Sequence, residues 1–90
     1  MTFELGYARQ AHRQLEKLKP QTALRIVEGC ERLKRNPFPD GKHVKKLKGL
    51  KGYEELYQLR VGDFRVVFQR SGSRIDVIDV LSKPDFQKAY

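Results

Sequence analysis

Tyr57-Gln58-Leu59-Arg60-Val61-Gly62-Asp63-Phe64-Arg65-Val66-Val67-Phe68 is the stretch that decides how this chain folds. Tyr57, Leu59 and Val61 alternate with Gln58 and Arg60 before Gly62-Asp63, and Phe64, Val66 and Phe68 resume the apolar positions after it. A period of two on both sides of a Gly-Asp pair predicts two half-buried strands joined by a tight turn. Small polar or β-branched residues would ordinarily occupy the second face of such strands. Here that face carries Arg60 just before the turn and Arg65 just after it. A hairpin sets the two guanidinium groups side by side as a rigid cationic site suited to phosphate.

Outward from the hairpin, the strand pattern extends over Tyr53–Val61, Phe64–Arg70 and Arg74–Ser82, with a second turn at Ser71-Gly72-Ser73. Pro84 closes the last strand, and Asp85 to Tyr90 is a short tail or terminal helix. On the N-terminal side, Phe38 to Gly52 holds Lys42, Lys45, Lys46, Lys48 and Lys51 with His43, and no acid falls between Asp40 and Glu54. This segment reads as a solvated loop, with room for a short strand around Val44 to Leu47.

Thr2 to Tyr7 reads as a strand. Ala8, Ala11, Leu15 and Leu18 follow at helical spacing. Pro20 opens a second helix, since proline is tolerated in a first turn, and Asn36-Pro37 ends it. Ala23, Val27, Cys30 and Leu33, with Leu24 and Ile26 beside them, mark its buried face. The short link between the helices predicts an antiparallel hairpin. The order of elements is α+β: an N-terminal strand and an antiparallel helical hairpin packed on one face of a mostly antiparallel four-stranded sheet. Tyr57, Leu59, Val61, Phe64, Val66 and Phe68 face the helices, leaving Gln58, Arg60, Arg65 and Gln69 on the open side.

The 90 residues suit a single domain, 1–90, with one core. No apolar run approaches the ~20 residues needed to span a bilayer, and no signal-peptide core follows Met1. A soluble, cytoplasmic protein with no membrane partner is expected. A net charge of +8 implies a polyanionic partner, nucleic acid first and an acidic protein second.

Several chemistries fit poorly. His12 and His43 lie far apart, no cluster has metal-ligand spacing, and no glycine-rich phosphate loop is present; neither metal nor cofactor is expected. Cys30, the only cysteine, falls on a buried helix face and reads as core. Phosphate recognition remains, with RNA cleavage as its extension. RNA supplies its own nucleophile, the 2′-hydroxyl, and arginine and lysine can stabilise the pentavalent phosphate without a metal. Lysine or tyrosine can move protons, but no side chain stands out as general base. Each residue also has a plainer reading: Arg60 and Arg65 paired with Glu54, Glu55, Asp76 or Asp79, His43 an ordinary loop residue, Tyr57 core, Tyr90 either a frayed end or a stacking and proton-transfer group.

The hairpin stretch, together with Asn36-Pro37 after the helices and Lys46-Leu47-Lys48-Gly49-Leu50, resembles the RelE/ParE superfamily of toxins from type II toxin–antitoxin systems over nearly the whole chain. For the RelE-like branch the resemblance implies a metal-independent, ribosome-dependent mRNA endoribonuclease that cuts in the A site. The partners implied are mRNA, the ribosome and its rRNA, and a cognate antitoxin. Arg65 then matches the phosphate-stabilising arginine, Arg60 its strand-end companion, Lys83 the basic residue after the last strand, and Tyr90 the C-terminal tyrosine, with Phe86 as rival. Lys45, Lys46, Lys48, Lys51 and Gln58 are the expected RNA-binding residues. Gln58 and Leu56 stand where well-known members of this branch place lysines, and Lys83 where arginine is frequent. The alternatives are a ParE-like toxin acting on DNA gyrase without nuclease activity, and a degenerate module that only binds antitoxin or nucleic acid.

Overall fold

In the computed structural model, which describes residues 2–47 and 56–90, the deciding stretch forms an antiparallel hairpin. Strand β3 (Leu56–Val61) pairs with β4 (Phe64–Ser71), with Leu59 opposite Val66 and Arg60 opposite Arg65. Gly62 has φ +55 while Asp63 has a negative φ. A positive φ at the first turn residue only is the pattern that matches the twist of a two-residue hairpin, and glycine adopts it without strain. The expected Tyr53–Glu55 part of the strand lies outside the described residues.

The remaining elements assemble around this pair. They are β1 (Glu4–Tyr7), α1 (Arg9–Glu16), α2 (Pro20–Leu33), β2 (Val44–Lys46), β5 (Arg74–Ser82) and α3 (Lys83–Ala89). The sheet order is β1-β5-β4-β3-β2, antiparallel except for the parallel pair β1–β5. The sheet thus has five strands where four were expected. The added strand is the short Val44–Lys46 segment, which pairs with Tyr57–Leu59 of β3. Pro84 does more than close β5, because it sits in the first turn of α3, whose N-cap Ser82 accepts a hydrogen bond from the Asp85 N–H at 3.3 Å.

Both N-terminal helices contribute to one apolar cluster on one face of the sheet. Ala11 of α1 and Ile26, Cys30 and Leu33 of α2 join Val44, Tyr57, Leu59, Val66, Phe68, Ile75, Val77 and Val80. The buried face of α2 is centred on Ile26, Gly29, Cys30 and Leu33, rotated from the expected face, so that Leu24 is exposed. Gly29 lies on this buried face, against β3. A Cβ there would stand 3.0 Å from Val61 Cγ2 and 3.5 Å from Leu59 Cδ2, so the helix approaches β3 more closely than a larger residue would allow. Burial pushes the Cys30 thiol up to about 11, partly offset by the neighbouring Tyr7 hydroxyl, which keeps it an inert core residue.

At one end of the core the Tyr57 and Phe68 rings stack at 5.4 Å, and the Arg70 guanidinium lies 4.9 Å from the Tyr57 ring and 4.8 Å from the Phe38 ring. At the other, α1 runs beside the part of β5 that β1 does not reach. Gln14 Oε1 there accepts the Val80 N–H at 2.6 Å, satisfying a donor in the half of β5 that β1 leaves unpaired. No helix among the described residues is long and apolar enough to cross a membrane.

Candidate functional site

Period-two side-chain placement makes Lys45, Gln58, Arg60 and Arg65 share the face turned away from the helices, because Lys45 is opposite Gln58 and Arg60 opposite Arg65. A cavity of about 50 Å³ opens among Lys42, His43, Lys45, Gln58, Arg60 and Arg65. Two like charges directly opposite each other on a ladder cost stability, roughly 0.2–1 kcal/mol. An anion between them would reverse the sign of that term. Of the acids expected as partners of the pair, Asp76 is engaged by Arg74 at 3.0 Å and Asp79 by Gln10, Gln14 and Tyr90; Glu54 and Glu55 lie outside the described residues.

The two arginines are not equivalent. Arg60 is exposed, whereas Arg65 is 8% exposed, and its Nη1 donates to Gly62 O at 3.1 Å and Phe64 O at 3.0 Å. Arg65 is thus anchored to the turn it follows, which fixes its guanidinium plane in advance of any ligand. The face is less polar than expected: Leu56 and Val67, which share its parity, are buried at 2% and 0% exposure.

The other expected residues fall in three places. Lys46 is opposite Tyr57, so strand parity turns it to the helix side of the sheet, away from Lys45. Lys48 and Lys51 lie outside the described residues. Lys83 donates its backbone N–H to Asp63 O at 2.8 Å, which sets it beside the hairpin turn. From there α3 packs against β5 and β4, and Tyr90 Oη donates to Asp79 Oδ2 at 3.0 Å. Asp79 lies two positions along β5 from Leu81, the partner of Arg65, or about 7 Å. Phe86 and Tyr90, the rival aromatics, stack on each other with centroids 5.2 Å apart.

The structure adds Lys42 and His43 to this corner. Asp40 Oδ1 accepts backbone N–H bonds from Lys42, His43 and Val44 at 2.8, 2.7 and 3.0 Å. Those bonds, led by that from Val44, hold its carboxyl well below the usual carboxylate range. The turn also brings the His43 carbonyl to the Arg60 N–H at 2.7 Å, which ties the loop to β3. Asp40-Gly41 ahead of Lys42-His43 was the available signal, since aspartate followed by glycine nucleates such side-chain-to-backbone turns.

Residues 5–84 match the model described as ParE toxin of type II toxin-antitoxin system, parDE. The chain belongs to the RelE/ParE superfamily of toxins from type II toxin–antitoxin systems. It is 35% identical over 68 residues to a protein of Methanocaldococcus jannaschii assigned the name toxin RelE1, covering 76% of this chain and 73% of that one. Among solved structures it resembles the archaeal RelE–RelB complex from Pyrococcus horikoshii OT3, with TM-score 0.76 and 28% identity over 92% of this chain and 97% of that one. The toxin–antitoxin complex RelBE2 of Mycobacterium tuberculosis gives the same TM-score at 20% identity, over 91% and 99% of the two chains, a likeness of fold.

Proposed function

We propose that this RelE-like toxin is a metal-independent endoribonuclease that cuts mRNA on the ribosome and is restrained by an antitoxin. The observation that carries the reading is the cross-strand Arg60–Arg65 pair beside a cavity lined by two lysines and Gln58. In this reading Arg65, held to the turn, and Arg60, free to close from solvent, bind the non-bridging oxygens of the scissile phosphate and stabilise the pentavalent state. Lys42 and Lys45 attract the flanking phosphates. Lys83 and Tyr90 act from the α3 side, Tyr90 after leaving Asp79.

The antitoxin reading rests on the similarity to a RelE solved with RelB and on the charge of +8, which favours an acidic partner. The test is to map mRNA 5′ ends after induced expression. Codon-phased cuts on translated messages are expected. A second reading, a ParE-like toxin acting on DNA gyrase, is favoured by the family model that matches the chain. Gyrase-dependent DNA breaks without phased cuts would establish it in place of the first.

A further inference from the structure

Cleavage through the 2′-hydroxyl needs a group that removes its proton, and beside Arg60 the open face of β3 presents Leu56 and Gln58, neither of them a base. Among the described residues that line the Arg60–Arg65 cavity, His43 is the one of a type that exchanges protons near neutral pH. Its backbone is fixed on both sides, the N–H by Asp40 Oδ1 at 2.7 Å and the carbonyl by the Arg60 N–H at 2.7 Å. Its ring Nδ1 lies 3.5 Å from Asp40 Oδ2. A carboxylate facing Nδ1 favours the tautomer with hydrogen on that nitrogen, which leaves Nε2 as an acceptor. The ring is exposed enough, at 61%, to meet a polymer rather than only a small ion. Among the described residues, the charged groups around it are Asp40, Lys42 and Lys45 on its own segment, Arg60 on β3, Arg65 on β4 and Arg32 of α2, which lines the adjoining cavity.

We propose that His43 is the general base of RNA cleavage at this site, with Asp40 as the residue that positions it. The inference rests on the nuclease reading above. The 2′-hydroxyl proton passes to Nε2, the O2′–P bond forms, and the P–O5′ bond breaks. The leaving O5′ takes a proton from solvent, giving a 2′,3′-cyclic phosphate and a 5′-hydroxyl. Arg60 and Arg65 hold the phosphate while this occurs.

The experiment is single-turnover cleavage of message on programmed ribosomes by the purified full chain, with binding measured separately, across about pH 6 to 9. His43→Gln is expected to slow cleavage by about 100-fold or more, to bind ribosomes as the parent does, and to lose the acidic limb of the pH–rate profile. Asp40→Asn, which keeps an oxygen for the loop N–H groups and removes the charge, is expected to show a smaller loss and a displaced limb, with an unchanged circular dichroism spectrum. If His43→Gln cleaves within about threefold of the parent with the same pH profile while Arg65→Ala does not cleave, the base assignment is wrong and the nuclease reading stands. If the parent chain cuts no ribosome-bound message, both fall together.

Discussion

Two corners of the sheet handle charge in opposite ways. At the β5 edge, the Asp79 carboxylate is met by neutral donors from two helices: Gln10 at 2.9 Å, Gln14 at 2.7 Å and Tyr90 at 3.0 Å. At the β2–β3–β4 corner, Lys42, Lys45, Arg60 and Arg65 gather, and the nearby carboxylate, Asp40, spends one oxygen on three backbone N–H groups. The first arrangement satisfies its charge within the fold and fastens α1 and α3 to β5. The second concentrates cations around an opening, at some cost in stability, and makes sense with an anion bound. Directional hydrogen bonds mark structure here, and a concentration of like charge marks the place to look for a ligand.

The contrast is sharpest at Arg65. Arg65→Ala is expected to lower message cleavage by about 100-fold or more, as loss of a preorganised charge donor does. Phased 5′ ends should vanish at equal expression, with circular dichroism confirming the fold. Asp79→Ala should instead leave cleavage chemistry in place and reduce stability by about 1–3 kcal/mol, because Gln10, Gln14 and Tyr90 lose their acceptor; urea unfolding measures it. An Asp79→Ala protein as stable as the parent would mean that the β5 corner fastens nothing.

Gly29→Ala tests the close approach of α2 to β3. Helix propensity gains about 1 kcal/mol, while contact with Val61 costs roughly 1–3 kcal/mol, so a net loss near 1 kcal/mol is expected in the same unfolding assay. Lys45→Ala should lower the salt dependence of RNA binding by about one unit of slope. Lys46→Ala, on the other side of the sheet, should leave the slope unchanged, and equal effects would break the distinction between the faces. The smallest effect is expected at acid pH. Asp40 is depressed in the folded state, so its contribution is full above the unfolded carboxylate value near pH 4 and fades as pH falls toward its lower folded value. Asp40→Ala should flatten that part of the thermal stability profile.

The hairpin and its arginines were legible in the sequence because period two over twelve residues leaves one consistent pairing, and Gly62 supplies the turn it requires. The superfamily was legible for the same reason, since its densest motif is that stretch. Val44–Lys46 was harder, because three residues hold too little alternation to separate a strand from a loop, and parity within it decides that Lys45 and not Lys46 joins Gln58. The rotation of α2 escaped a reading by spacing because Gly29 carries no apolar signal of its own; its effect is close contact. The Asp79 cluster joins residues 65 and 69 positions apart in the chain, so local pattern is silent about it. His43 looked like an ordinary loop residue until the Asp40 turn set it at the cavity.

The parallel pairing of β1 with β5 has a consequence for the order in which this protein is made. Residues 4–7 are synthesised well before their strand partner, residues 74–77. Closing so long a loop is slow compared with forming the α1–α2 segment or the β3–β4 hairpin. The nascent chain therefore carries its helices and its arginine hairpin before the sheet can be completed, and the sheet closes only after residues 74–77 have been made.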